Sequence, residues 1–335
     1  MNTREGILED LLLAGPAGAS GETLCRRAGI SRAAVWKHIQ ALQRQGYGIE
    51  GKSGVGYHLA QLPDRLDGPL LQHFLHTRAL GRTVRSLEEI DSTNLGAKAW
   101  AAEGAPHGAI VLAERQTQGR GRKGRGWYAP AGEGLWMSLV LRPEVPPERV
   151  QSLTLLTAVA VALGVETVCP PLAAHIKWPN DVQVDGRKIC GILTEVVADM
   201  DGVEYVVPGI GINCHMPQAA FPDDLQDKAT SLAAAGSPPF LRVQLAAAVL
   251  MELERLLDAW QQGDFAAVVA GYRSHMAYRG SLVTVSGPGW SQEGRIVDVD
   301  DQGQLILEDD AGRRQAVRSG EVTVRRKEPC DTQEV

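Results

Sequence analysis

The sequence predicts an α+β protein in three parts. These are an N-terminal winged helix-turn-helix, a central mixed but mainly antiparallel sheet with helices, and a C-terminal SH3-like β-barrel. Three features lead there. Residues 20–58 are locally basic and read as helix, turn, helix and a glycine-broken hairpin. From about 65 to 275, Asp-Gly turns sit between apolar runs with apolar helices around them. From about 280 to 327 only short strands and turns remain. The expected limits are 1–62, 63–277 and 278–327, with a tail at 328–335.

Bulk composition agrees with a chain of 335 residues in two or three domains. The net charge of −6 argues against a general nucleic-acid coat protein. The charge is uneven, however: Ser20–His58 carries six basic and two acidic residues, a net of +4, so the remainder carries −10. One end of the chain is therefore suited to a polyanion. The five cysteines, at 25, 169, 190, 214 and 330, are scattered and never form C-x-x-C, which fits a reducing compartment. "MNTREGILEDLLLAG" mixes acids into a short apolar run and is no signal peptide. "LTLLTAVAVALGV" is too short to span a bilayer, so a cytoplasmic protein with no membrane partner is expected.

In the first part, "SGETLCRRAGISRAAVWKHIQALQRQGYGIEGKSGVGYHLA" places Gly29 in the turn and Ser31 at an N-cap, where its hydroxyl can accept an early orphan N–H. Val35, Ile39 and Leu42 form the inward face of the second helix, leaving Arg32, Lys37 and His38 to face out. With Lys52 in the wing, Ser31, Arg32, Lys37 and His38 are the candidate DNA contacts. The plainer alternative is a three-helix interaction domain with a solvated basic face; the coincidence of turn, cap, charge and wing favours DNA. "QLPDRLDGP" then reads as a linker.

In the middle part, Asp185-Gly186 and Asp201-Gly202 predict type I′ hairpins. Helices are expected near Glu148–Val168 and Leu241–Gln261; in the second, Leu245, Val249, Leu253, Leu256, Leu257 and Trp260 share a face. The last part gives about five strands, turned at Gly287-Pro288-Gly289, Gln302-Gly303 and Ala311-Gly312.

Three segments carry chemistry. "GRGRKGRGW", Gly119–Trp127, satisfies G-x-G-x-x-G, but a strand rather than a helix follows, so no helix N-terminus is available for a pyrophosphate. A Walker A reading fails for want of a following Gly-Lys-Ser/Thr. What remains is a cationic loop whose arginines suit phosphate or carboxylate and whose Trp127 suits a base, or else an Arg/Gly loop that meets RNA nonspecifically or nothing. "KWPND" sets Lys177 beside Asn180 and Asp181, a pairing that could join an anionic substrate to Mg²⁺, or simply open a strand. "DSTN" puts Ser92, Thr93 and Asn94 at a helix start, as an N-cap or as ligand-facing polar groups.

Taken together, "DSTN", "QTQGRGRKGRGW", "KWPND", "RKICGIL" and "GIGIN" resemble the biotin–protein ligase family in order and spacing. With "ISRAAVWKHIQAL" in front, the chain resembles the bifunctional subgroup, biotin ligase and biotin-operon repressor in one. The resemblance covers nearly all of the chain, is strongest from 88 to 215, and implies a class II aminoacyl-tRNA synthetase-like core. It implies that ATP and biotin form biotinyl-5′-AMP, and that biotin then passes to a lysine of a biotin carboxyl carrier protein. Ser92, Thr93, Asn94 and Gln116 would hold the biotin head group, with Gly191 nearby. Arg120, Gly121 and Arg122 would lie over the carboxylate and phosphate, and Lys177 would neutralise charge where they join. Arg125, Trp127, Asn180, Lys188, Asn213 and Arg325 would serve the nucleotide. Asn180 and Asp181 are the Mg²⁺ candidates, and no residue is assigned as general base for transfer. Gly126 stands where relatives can carry lysine, one cation fewer in the loop. The repressor half would dimerise with the adenylate bound and then take operator DNA, the adenylate acting as corepressor. The rivals are a lipoate–protein ligase, or a DNA-binding biotin sensor whose ligase core is inert.

Overall fold

The computed structural model describes residues 3–52, 56–150, 152–199, 202–300 and 302–324. Helices α1 (Thr3–Ala14), α2 (Gly21–Ala28) and α3 (Arg32–Arg44) precede a hairpin of β1 (Gly48–Lys52) and β2 (Gly56–Gln61). Local chemistry sets the turn. Gly29 closes α2 in the left-handed region at φ 65°, and Ser31 Oγ accepts from Ala34 N at 3.3 Å to start α3. Val35, Ile39 and Leu42 are buried as the periodicity predicts.

The linker leads to α4 (Gly68–Phe74), β3 (Val84–Ile90), α5 (Thr93–Ala102), β4 (Ile110–Gln116) and β5 (Gly134–Leu139). The helix expected near 148–168 is described as α6 (Pro147–Val150) and α7 (Ser152–Val168), with Gln151 outside the described residues. Then come β6 (His175–Lys177), β7 (Asp181–Val184), β8 (Arg187–Asp199) and β9 (Gly202–Asn213). The central sheet has seven strands in the order β3-β4-β5-β9-β8-β7-β6, antiparallel except for the β3–β4 pair. Asp185 and Gly186 both take positive φ, 50° and 74°, as a type I′ turn requires, and join β7 to β8. The β8–β9 hairpin pairs Asp199 with Gly202, while Asp201 of the expected turn lies outside the described residues.

Helices α8 (Arg242–Gln261) and α9 (Ala266–His275) complete this part. The apolar α7 is buried on most sides because it lies between the sheet and α8 and α9. Strands β10 (Leu282–Gly287), β11 (Trp290–Val299), β12 (Leu305–Glu308), β13 (Arg314–Val317) and β14 (Glu321–Val324) form the expected five-stranded antiparallel SH3-like sheet, ordered β13-β12-β11-β10-β14. Arg325 and the tail lie outside the described residues. No helix among the described residues is long and apolar enough to cross a membrane.

The linker is clamped rather than loose. Arg242, 1 % exposed at the start of α8, donates through Nε to the Asp64 carboxylate at 2.8 Å, through Nη1 to Gly134 O at 3.1 Å and through Nη2 to Asp64 O at 2.9 Å, and its Nη2 pairs with Glu114 at 2.9 Å. Asp64 also accepts from the Arg242 backbone N–H at 2.7 Å, so a linker carboxylate satisfies the N-terminus of α8, which its own residue Leu241 cannot do with an alkyl side chain. Glu114 accepts from Leu66 N at 2.8 Å. Burial disfavours the Asp64 carboxylate, but hydrogen bonds from His215 and Arg242 outweigh it and hold its pKa below the usual range. Tyr47 of the first module donates to Asp67; burial and that carboxylate push the phenol up, so it remains a donor. A cleft of about 530 Å³ opens between α1 and the linker side of β3.

Removing the guanidinium would strand Asp64 and Glu114. Arg242→Met is expected to lower unfolding free energy by about 3–5 kcal/mol, the cost of breaking a buried charge pair from one side; urea titration followed by tryptophan fluorescence measures it.

Candidate active site

The ligase-core candidates converge on one cavity of about 430 Å³ over the β9–β8–β7 part of the sheet, closed by the cationic loop, the KWPND turn and Glu321–Thr323 of the C-terminal sheet. Its deepest polar group is the DSTN segment. Ser92, Thr93 and Asn94 are buried at the start of α5, and Ser92 makes no side-chain cap, so the N-cap reading does not account for it. Gln116 Oε1, at the end of β4, accepts from Thr93 N at 2.8 Å and from Thr93 Oγ1 at 3.1 Å. Ser138 on β5 donates to Asn94 Oδ1 at 2.6 Å and lies 2.8 Å from Thr93 Oγ1. Asn94 Nδ2 in turn donates to Leu193 O at 3.2 Å and Glu195 Oε2 at 2.9 Å. The result is a fixed row of amide and hydroxyl groups whose orientations are set by one another.

Ser138 and Glu195 were not singled out in the sequence. A buried serine inside "GLWMSLVL" looks like any small strand residue. Burial opposes the Glu195 charge, but hydrogen bonds from Asn94 and Lys98 prevail and hold its pKa below the usual range. Arg120 Nη1 lies 3.9 Å from the same carboxylate. Asn94 also depends on Gly209 of β9: a Cβ there would stand 1.8 Å from Asn94 Oδ1.

The cationic loop is folded as a small hairpin, with Gly121 N donating to Arg125 O and Trp127 N to Gly119 O, each at 2.8 Å. Lys123 takes φ 57°, and the loop's cations are neutralised by residues far away in sequence. Glu321 pairs with Arg125 at 2.9 Å and Lys123 at 3.2 Å. Arg122 donates to Asn180 Oδ1 at 2.8 Å. Trp127 lies across the cross-strand pair Gly191 and Gly211, where a Cβ at either would come within 2.7 Å of the indole. It meets Trp136 edge-on at 6.3 Å, and Lys188 Nζ stands 5.2 Å from its centroid. Its Nε1 is buried and without a hydrogen-bond partner, a donor available to whatever fills the cavity.

Lys177 ends β6 at the cavity wall. The next residues turn through a cis Trp178–Pro179 bond, and the Trp178 indole donates to Gly303 O of the C-terminal sheet at 3.1 Å. Asn180 Nδ2 holds Ile192 O at 3.0 Å, and Asn213 Nδ2 holds Thr230 O at 3.0 Å. The expected Asn180–Asp181 metal pair has other partners: Asn180 Oδ1 accepts from Arg122, and Asp181 pairs with Lys188 at 2.7 Å. No cluster of metal-ligating side chains occurs among the described residues. With those side chains engaged by Arg122 and Lys188, the pair does not form a ready metal cage.

In the first module Ser31, Arg32, Lys37 and Lys52 are exposed. His38 is half-buried on the flank of α3, not at the centre of its outward face, because its position falls beside Val35 and Leu42 on the helical wheel. Burial pushes the Cys169 thiol up to about 11 and raises those of Cys190 and Cys214 as well, so none of the three is a nucleophile.

Comparison with known proteins places this geometry. Residues 3–58 match an HTH domain, 86–213 the biotin/lipoate A/B protein ligase family, and 280–325 the biotin protein ligase C-terminal domain. The chain is 36% identical over 309 residues to the bifunctional ligase/repressor BirA of Bacillus subtilis, spanning 92% of this chain and 95% of that protein. The chain belongs to the family of bifunctional biotin ligase/repressors. A biotin–[acetyl-CoA-carboxylase] ligase of Mycobacterium tuberculosis is 36% identical over 77% of this chain and 97% of its own length. The biotin protein ligase of Aquifex aeolicus, solved with biotin and ATP, superposes with a TM-score of 0.64 at 28% identity, over 73% of this chain and 99% of its own. A whole ligase thus fits within about three quarters of this family member.

Two variants probe the polar row by calorimetric titration with biotin. Gly209→Ala is expected to abolish detectable binding by displacing Asn94. Ser138→Ala should weaken it about fivefold, the worth of roughly one neutral hydrogen bond. Unchanged binding in both would take the row out of the ligand site.

Proposed function

We propose that this chain joins biotin to AMP and transfers it to a carrier lysine, with the DSTN row as the biotin end of the cavity and the cationic loop as the phosphate end. The observation that carries the proposal is the convergence of Lys177, Arg120 and Arg122 on the same cavity as Thr93, Asn94 and Gln116, with the buried Ser138 holding Thr93 and Asn94 from behind. The row supplies donors and acceptors in fixed directions, matched to a neutral ureido ring. Gly191, Gly211 and Trp127 supply an apolar floor for the rest of the ligand.

In the first step a biotin carboxylate oxygen attacks the α-phosphorus of ATP. A C–O–P anhydride forms, and the bond from the α-phosphorus to the bridging oxygen of pyrophosphate breaks. Both reactants are anionic, and their repulsion is much of the barrier. Lys177 and Arg122 stand ready as fixed cations where charge accumulates on phosphorus, and Arg120 is assigned to the carboxylate. Mg²⁺ enters as the ATP complex, as substrate rather than resident metal. Trp127 and Lys188 are assigned to the adenine side, with Asn180 and Asn213 bracing the walls; Arg125 acts through its tie to Glu321. Because the anhydride hydrolyses, the loop's cover over the cavity protects it from water. In the second step the carrier lysine amine attacks the acyl carbon, loses a proton and expels AMP.

The regulatory half rests on the N-terminal module at residues 1–62, joined to a catalytic part at 63–277 and a C-terminal part at 278–327. Arg32, Lys37 and Lys52 are exposed where operator DNA would lie. Adenylate acts as corepressor: it orders the loop, favours a homodimer, and the dimer grips a two-part operator more tightly than one module can.

Pyrophosphate release from ATP and Mg²⁺ tests the chemistry, with biotin and lipoate in parallel. Biotin-dependent release is expected, and Lys177→Ala is expected to remove it while leaving the fold intact. Release with lipoate alone would move the substrate assignment, and normal release in the variant would free Lys177 from its role. Arg122→Gly is expected to accelerate adenylate dissociation more than it slows synthesis, measured by chase of labelled adenylate. For the regulatory half, duplex binding that is indifferent to biotin and ATP would exclude the corepressor.

A further inference from the structure

The exposed face of α3 carries one residue that the repressor reading leaves unused. Trp36 is 51% exposed, although tryptophan is among the larger apolar side chains and the protein has deep cores that could have taken it. At 100° per residue, Arg32, Gln43, Trp36, Gln40 and Ala33 follow one another across the outward side, with Arg44 and Lys37 at its edge. All seven are exposed, and the buried Val35, Ile39 and Leu42 lie outside their arc. The indole lies within that exposed arc, on its side towards Ile39 and in the second turn of α3, with Arg32 to one side of it and Arg44 and Lys37 to the other.

That arrangement divides the work of a groove-binding helix. Arginine and lysine at the margins meet phosphates, which fix register without reading sequence. A side chain set between those cations reaches the groove floor, where each base pair shows its edge. There an indole is poorly suited to the acceptor-rich edge of guanine, which asks for a two-donor fork. It is suited to the C5-methyl group of thymine, an apolar contact that distinguishes thymine from every other unmodified base. We propose that Trp36 reads a thymine methyl in the operator half-site and so sets part of the protein's sequence preference. This rests on the DNA-binding reading of the N-terminal module. The flanking charges of Arg32, Lys37 and Arg44 favour a polyanion over an apolar protein partner on this face.

The test uses the full chain with biotin, ATP and Mg²⁺. Duplexes enriched from a randomised library by the wild-type protein are synthesised with each thymine replaced in turn by deoxyuridine, which removes only the methyl group. Affinities are then measured by fluorescence anisotropy for wild type and Trp36→Ala, after matching melting curves establish that the variant is folded. The expected result is one thymine per half-site whose demethylation weakens wild-type binding about fourfold, the worth of one buried carbon, and leaves Trp36→Ala unaffected. The variant itself should bind the enriched duplex about 5- to 100-fold more weakly, the cost of one lost base contact. Enriched duplexes with no methyl-sensitive position, or with equal sensitivity in both proteins, would overturn the thymine assignment while sparing the repressor reading. A change of oligomeric state in DNA-free Trp36→Ala, without methyl sensitivity, would assign the face to a second copy of the chain instead. Failure to enrich any duplex would remove the repressor reading and this inference with it.

Discussion

The guanidinium of Arg242 is the group on which the assembly of this chain most depends. It is fully buried, and a buried cation persists only when its donors are met by opposite charge and by oxygen. Here Asp64 comes from the linker, Glu114 from β4 and a carbonyl from Gly134 at the start of β5. One side chain therefore ties the segment leaving the first module to the helix and strands that bear the ligand cavity. The arrangement is reciprocal, since the linker carboxylate also satisfies the first turn of α8. Neither element would be correctly ended without the other.

The same economy of charge governs the cavity. A loop with four cations would repel itself if left alone, yet each cation has an oxygen partner from elsewhere. Glu321 takes Lys123 and Arg125, Asn180 takes Arg122, and Glu195 stands near Arg120. Because Glu321 belongs to the last sheet, the C-terminal part helps to shape a loop about two hundred residues earlier in the chain. The Trp178 indole adds a second tie to that part at Gly303. The loop's partners are carboxylates and one side-chain amide, and partly exposed pairs of this kind are individually weak. The polar row beneath is different in kind: Thr93, Asn94 and Ser138 are buried and hold one another. The cavity thus combines a buried, mutually bonded row with a cationic loop held by partly exposed partners.

The short motifs that carry the resemblance are each contiguous in the chain, and they end strands or begin helices. DSTN starts α5, Gln116 ends β4, Lys177 ends β6 and Gly191 lies in β8, so the sheet brings them together. The residues that sequence reasoning missed are of another type. Ser138, Glu195, Asp64 and Glu321 act through partners 44, 101, 178 and 196 positions away, and nothing in their immediate neighbours signals it. Asp181 likewise pairs with Lys188 across the hairpin, a contact that its immediate neighbours do not signal.

What the sequence by itself determined is whatever short-range physics specifies. Gly29 and Ser31 mark the turn before α3, Asp185-Gly186 admits the positive φ of a hairpin, and apolar spacing buries Val35, Ile39 and Leu42. Each depends on a residue's own backbone preference or on neighbours within about two helical turns. Only the tertiary structure decided the clamp at Arg242 and the seat of Trp127 on Gly191 and Gly211. Those depend on which charges and surfaces meet after folding, and on how fully water is excluded when they do. Local patterning fixes the elements, while distant charge and close packing fix what they can hold.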